Sequence, residues 1–289
     1  MAKKTPIVCI MYDFDKTLCT ADMQNYKFIP DVNMTPEEFW NATGEFGRKT
    51  QMEKILAYMY MMLIKAKENN IVLSKEYLKS LGAYIQYFKG VEGFFKRINE
   101  YGKEEGVKVE HYIISSGTKE IIEGSSIAKE FKKIYACEYY YDEKGQAIWP
   151  KLTINYTQKT QFVFRISKGV EKIDDDNAVN DRVAKDKRRV LYQNMIYIGD
   201  GITDIPCMQL VKDKGGKSIA IYRDVKKVNA SKLIQDERVN YICKADYSEG
   251  SELDQIIKLQ IKSIALHSKL QSKEQKQRMN IKKENLNNV

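Results

Sequence analysis

The feature that most constrains this chain is a set of short apolar runs, each of which stops at a polar cluster. Residues 7–12 (Ile-Val-Cys-Ile-Met-Tyr) run into Asp13-Phe14-Asp15-Lys16-Thr17, and residues 109–114 into Ser115-Ser116-Gly117-Thr118. Residues 195–198 end at Gly199-Asp200-Gly201, and residues 218–222 end at Arg223. A strand with one wet face alternates apolar and polar side chains; runs without alternation belong to strands buried on both faces. Helical patterns fall between them, at 91–101, 120–135 and, weakly, 160–166. Apolar strands alternating with helices predict an α/β fold, a Rossmann-like parallel sheet core with helices on both faces. Ligands of such sheets occupy the crevice beyond the carboxyl ends of the strands. Three of the polar clusters fall there.

The stretch from 20 to 90 breaks the alternation and reads as a smaller helical cap. Thr35-Pro36-Glu37-Glu38 has a capping-box pattern with proline at the first helical position. Residues 49–69 predict one long helix with Met52, Ile55, Leu56, Met59, Met62 and Leu63 at helical spacing, and another runs from Ser74 to about Phe88. Residues 139–149 resemble a hairpin with a polar turn ending at Gly145. The expected organisation is a core of residues 1–19 and 91–250, a cap of 20–90, and a C-terminal helix and basic tail over 251–289. In that tail, Leu253, Ile256, Ile257, Ile261 and Ile264 recur at helical spacing before a fraying end.

Bulk properties narrow the classes. The five cysteines are scattered, with no CxxC pair or Cys/His cluster, so neither a zinc site nor a disulfide framework is supported. A reducing, cytoplasmic setting is expected. The apolar run after Met1-Ala2-Lys3-Lys4 is too short for a secretory signal, and residues 55–64 amount to about half a bilayer span, so no membrane is expected. The net charge of +9 gathers in the tail. No aromatic residues alternate with its lysines, so nucleic acid is not the expected partner.

The chemistry-bearing residues stand at the strand ends. Asp13 and Asp15 directly follow a buried strand. A carboxylate there can attack phosphorus in line and form an acyl phosphate, while its neighbour protonates the leaving oxygen and later deprotonates water. A plain turn cap explains such a pair equally well when it stands alone. Asp200 and Asp204 add two carboxylates at a second strand end. Four converging acids beside a phosphate need a cation, and hard Mg²⁺ suits oxygen ligands. Ser115 or Ser116 can donate to phosphoryl oxygens, with Gly117 permitting close approach. A lysine must balance the transferred group; Lys159 and Lys168 are both candidates among 48 basic residues. Arg48, Lys49 and Lys65 in the cap could read a substrate anion or simply be solvated helix faces.

With these residues in hand, the sequence resembles the haloacid dehalogenase-like (HAD) superfamily of phosphatases. Asp13-Phe14-Asp15-Lys16-Thr17-Leu18 matches its first motif, Ser115 the hydroxyl of its second, and Asp200 and Asp204 in GDGITD its fourth. The resemblance spans residues 7–248, and a cap between the first two motifs is similar to the phosphoserine phosphatase-like branch. It implies Asp13 as nucleophile, Asp15 as acid/base, and Mg²⁺ held by Asp13, the Asp15 backbone carbonyl and Asp200, with Asp204 supporting. Thr17, Ser116 and Gly117 are expected beside the phosphoryl group. Lys159 best fits the third motif, because Phe162, Val163, Phe164 and Ile166 follow it in a helical pattern; its long gap to Asp200 keeps Lys168 open. Family dehalogenases lack the second acid, so Asp15 disfavours dehalogenation.

The leading expectation is therefore hydrolysis of a small phosphorylated metabolite. Phosphoryl transfer to another acceptor, as in mutases of the superfamily, shares the chemistry up to the acyl phosphate. A basic nucleic-acid-binding module with a structural acidic cluster is the third reading.

Overall fold

The computed structural model describes residues 5–223 and 227–287. The basic leader Met1–Lys4 and the last two residues lie outside the described residues. The chain runs β1 (Ile7–Tyr12), α1 (Phe28–Asp31), α2 (Pro36–Thr50), α3 (Lys54–Glu68), α4 (Lys75–Leu81), α5 (Val91–Glu104), β2 (Lys108–Thr118), α6 (Lys119–Glu123), β3 (Lys133–Tyr141) and β4 (Ala147–Leu152). It continues through α7 (Gln158–Lys168), α8 (Asp176–Asn180), β5 (Met195–Gly199), α9 (Ile205–Asp213), β6 (Lys217–Tyr222), α10 (Lys227–Gln235), β7 (Tyr241–Lys244) and α11 (Glu252–Asn287). The strands form one sheet in the order β4-β3-β2-β1-β5-β6-β7, parallel throughout except for β4. This is the expected Rossmann-like α/β sheet, with α5 and α11 packed together on one face and α7 and α9 on the other.

β1 lies at the centre, hydrogen-bonded to β2 and β5, and Val8–Tyr12 are wholly buried. Helices cover both faces, which is why its sequence shows no alternation. The ends of β1, β2 and β5 therefore lie side by side, and their polar clusters converge.

Several elements depart from their sequence patterns. The helix expected over 49–69 is two helices: Gln51 adopts a left-handed backbone (φ 55) and Glu53 accepts from the amides of Ile55 and Leu56, starting a new helix. Neither the αL step nor an acidic N-cap interrupts the apolar spacing, so periodicity alone reads through both. The helix expected to reach Phe88 stops at Leu81, where Gly82 lets the chain press against α6; a Cβ there would lie 2.3 Å from the Gly124 carbonyl carbon. The pattern at 120–135 yields only α6, then β3. Tyr135 faces the core as part of a strand because tertiary burial overrides a short helical periodicity. The hairpin at 139–149 is present as β3–β4, with Gly145 at φ 77 in its turn. The expected capping box at Thr35 is present, Thr35 and Glu38 bonding reciprocally. β7 had no counterpart in the sequence reading, and the tail helix continues through Asn287 rather than fraying. Among the described residues no helix is long and apolar enough to cross a membrane.

Candidate active site

The loop after β1 holds the first carboxylates. The Asp13 amide donates to the Ile198 carbonyl at 3.0 Å, continuing the β1–β5 ladder one residue past the strand. The amides of Thr17, Leu18 and Cys19 all donate to the Phe14 carbonyl, and Lys16 takes a left-handed backbone (φ 58) to close this turn. Asp15 Oδ1 accepts from the Met23 amide at 2.8 Å. Lys16 Nζ is held by Asp22 (2.5 and 2.6 Å) rather than by Asp13 or Asp15.

Lys159 ties the first motif to the fourth. It stands in the first turn of α7, fully buried, with its Nζ 3.0 Å from Asp13 Oδ1 and 2.8 Å from Asp204 Oδ1. Burial pulls the Lys159 pKa down, but the two carboxylates outweigh it and the net shift is upward. Lys168 lies at the other end of the same helix, bonding the Val179 and Asp181 carbonyls. Of the two lysines left open by spacing, only Lys159 is brought to Asp13. The charged stretch between α7 and β5 is tied back by Arg189, whose guanidinium binds Glu110 at 2.6 and 2.7 Å.

Asp204 is buried and fully engaged. Its Oδ1 also accepts from the Tyr197 hydroxyl at 2.8 Å and its Oδ2 from the Gly201 amide at 3.2 Å. Gly199 makes room for it, since a Cβ there would lie 2.6 Å from Asp204 Cγ. Tyr197, hidden in the apolar run of β5, was not singled out by sequence; its only signal was a hydroxyl in a strand otherwise free of polar groups.

Asp13, Asp200 and Asp204 each offer a carboxylate oxygen within 4.8 Å of the others. The Asp15 side chain is not in that group; its Oδ1 is turned to Met23. Burial, with Asp204 adding and Lys159 opposing, raises the Asp13 pKa to about 6. Burial, with Asp13 and Asp204 adding, raises Asp200 to about 7. Burial, Asp22 and Asp13 hold Asp15 well above the usual carboxylate range. An all-oxygen donor set with mutual repulsion fits a hard divalent cation.

These shifts have a measurable sign. Asp13 and Asp200 bind protons more tightly in the folded state than in an unfolded chain (about 3.9). Their contribution is favourable below that value and is lost as pH rises through about 6 and about 7. Without divalent ions, stability is therefore expected to fall between pH 4 and pH 7. Mg²⁺ should oppose the fall, so its stabilising effect grows with pH across that window. Thermal melts at stepped pH, with and without MgCl₂, check this. A Mg²⁺ effect that shrinks as pH rises would contradict it.

At the end of β2, the Ser115 hydroxyl accepts from the Gly117 amide at 3.1 Å, while the Ser116 hydroxyl is buried without a partner among the described residues. The Ser116 carbonyl accepts from Tyr58 of α3 at 2.7 Å, a link between α3 and the end of β2 that sequence did not reveal. A Cβ at Gly117 would lie 2.8 Å from Asp15 Oδ2, so glycine allows this strand end to meet the first loop. Asp13, Asp15, Ser115, Ser116, Gly117 and Asp200 share one cavity of about 1140 Å³. Lys159 and Asp204 lie behind its floor. Thr17 is fully buried, its hydroxyl has no partner among the described residues, and it does not line the cavity. Of the three cap cations, Arg48 lines the cavity, Lys65 pairs with Glu68 at 2.7 Å, and Lys49 faces elsewhere.

The architecture is that of HAD-family hydrolases, in the phosphoserine phosphatase-like form. A HAD family hydrolase from Salmonella enterica serovar Typhi superposes with a TM-score of 0.54 at 15% identity, over 78% of this chain and 66% of that one, just under two thirds of its length. A substrate-bound phosphoserine phosphatase superposes with a TM-score of 0.51 at 15% identity, over 89% of this chain and 99% of that one. No family model matches the sequence. An uncharacterized protein of Borreliella burgdorferi is 30% identical over 281 residues, covering 88% of this chain and 96% of its own. The chain belongs to the family of that Borreliella protein.

Proposed function

We propose that this chain is a Mg²⁺-dependent phosphomonoesterase acting through an aspartyl phosphate on Asp13. The observation that carries the reading is the buried Lys159 bound to both Asp13 and Asp204 behind the floor of a large cavity. A structural ion pair needs no such cavity, and a turn cap needs no buried lysine.

Asp13 is held at the end of β1 by the hydrogen bond its amide donates to the Ile198 carbonyl and by Lys159, which leaves its second carboxylate oxygen for attack on phosphorus. As the Asp13–phosphorus bond forms, the ester P–O bond breaks and Asp15 gives its proton to the leaving oxygen. Burial keeps that proton on Asp15. In the second half, Asp15 takes a proton from water, the water oxygen attacks phosphorus, and Asp13 is released with phosphate. Lys159 balances the charge that passes over Asp13, and the Ser115 and Ser116 hydroxyls donate to the phosphoryl oxygens. Asp13, Asp200 and the Asp15 backbone carbonyl would hold Mg²⁺, with Asp204 fixing Lys159; the ion supplies charge neutralisation for the incoming phosphate. Helices α1–α4 would act as a lid that excludes water.

Phosphate release from p-nitrophenyl phosphate is expected with MgCl₂ and lost, to below about 1%, after EDTA treatment and gel filtration. Restored MgCl₂ should bring it back. Undiminished release in EDTA would rule out the metal. Quenching in acid during turnover of a ³²P-labelled ester should leave label on the peptide containing Asp13.

A further inference from the structure

We propose that the ester taken by this site has a large leaving group bearing further negative charge, held between two cationic walls above the carboxylate floor. This rests on the phosphomonoesterase reading and specifies its substrate class.

Size is the first observation. The cavity, at about 1140 Å³, exceeds the usual range of small-ligand pockets, and an amino-acid-sized leaving group would leave most of it filled with water. Charge is the second. The acids Asp13, Asp15 and Asp200 occupy the floor. Arg48 at the end of α2 and Lys54 at the start of α3 stand on one wall, with Lys232 of α10 and Arg238 on the other. None of these four side chains makes an ion pair or hydrogen bond with a described residue, whereas Lys16 on the floor is held by Asp22 and Arg223 donates to the Thr20 carbonyl. Asp236 is the only acid of these upper walls among the described lining residues. Unpaired cations gathered around one cavity repel, and an anion among them relieves that repulsion.

The cavity face of α2 supplies the third observation. Thr43, Gly44, Gly47 and Arg48 recur at helical spacing on one side, and all four line the cavity. The glycines leave that wall bare. Thr43 is 6% exposed and its buried hydroxyl has no partner among the described residues, a second hydrogen-bonding group on the helix that carries Arg48. Trp40, Ile55 and Leu233 fill the lining between the charged groups, so the leaving group has an apolar part as well.

A matched series isolates the added charge: hexyl phosphate, 6-carboxyhexyl phosphate and hexane-1,6-diol bisphosphate. The flexible chain lets the second anion find its site, and the last two distinguish a carboxylate from a phosphate. The expected kcat/KM is roughly ten- to a hundredfold higher for at least one charged ester than for hexyl phosphate, the range of a hydrogen bond to a charged group. Arg48→Gln and Arg238→Gln should each collapse that ratio. Lys49→Gln, an equal charge change one residue further along α2 and off the cavity, should leave it intact. Charged esters used no better than hexyl phosphate would overturn the proposal, as would a Lys49→Gln effect equal to that of Arg48→Gln. If no ester is hydrolysed, including p-nitrophenyl phosphate, the phosphatase reading fails. The charge proposal is then judged by calorimetry of hexane-1,6-diol bisphosphate on the Asp13→Asn protein: binding weakened about tenfold by Arg48→Gln supports it, and no binding overturns it.

Discussion

Asp13→Asn is expected to reduce Mg²⁺-dependent phosphate release by at least about a thousandfold, as loss of a covalent nucleophile does elsewhere. The substitution is nearly isosteric. Its amide oxygen can still accept from Lys159, which now lies 3.0 Å from Asp13 Oδ1, so the site keeps its shape. What it loses is the negative oxygen proposed to attack phosphorus. The same change removes a buried carboxylate whose pKa is raised to about 6. The variant should therefore be as stable as the parent at pH 8, or more so, while being inactive. Steady-state release from p-nitrophenyl phosphate and denaturant melts on the same preparations check both halves. Retained activity would remove Asp13 from the mechanism, and lost activity with a collapsed fold would make the loss uninformative about chemistry, which is why the melt is paired with it.

Lys159→Met carries the second large effect, and it should strike activity and stability together. Lys159 is fully buried, and removing it leaves Asp13 and Asp204 facing each other without a cation. Breaking a buried ion pair by deleting one partner costs roughly 3–5 kcal/mol. Asp13, already raised to about 6, escapes part of that cost by binding a proton, so the penalty depends on pH. It should be largest near pH 8 and shrink as pH falls towards 4. Lys159 also opposes the upward shift at Asp13, so the variant's nucleophile stays protonated to higher pH. Activity should fall by about a thousandfold or more, and any residual rate should rise towards alkaline pH. Denaturant titrations at pH 5 and pH 8 test the stability half. A pH-independent loss would mean that the triad of Asp13, Lys159 and Asp204 is not electrostatically linked. Lys168→Met, at the far end of α7, makes the useful contrast, because that ammonium serves only backbone carbonyls.

How much of this was legible before folding differs by element. The central strands could be read because burial on both faces leaves a plain chemical record, an apolar run with a polar stop. The stretch from 20 to 90 was legible as helical but not in its segmentation. The break at Gln51–Glu53 depends on one left-handed residue and one side-chain cap, and neither disturbs the spacing of Met52, Ile55 and Leu56. β3 was read as helix through Tyr135 because a short amphipathic pattern fits either period until the sheet claims it. Among the site residues, Tyr197 and Tyr58 were invisible, since a tyrosine in an apolar stretch looks like core until its hydroxyl is seen at 2.8 Å from Asp204 and 2.7 Å from Ser116.

The sequence by itself determined the α/β class, the order of the strands' polar ends, and the carboxylates at Asp13, Asp15, Asp200 and Asp204. Those are local properties: a strand's burial and the residue that follows it are written in adjacent positions. Tertiary structure alone decided which lysine reaches Asp13, because 146 residues separate Lys159 from its partner and only the packing of α7 against the sheet brings them together. It also decided that Arg48 faces the cavity while Lys49 and Lys65 do not, a choice made by the rotation of two cap helices. Long-range contacts and helix rotation depend on the whole chain's packing, so no local pattern can carry them.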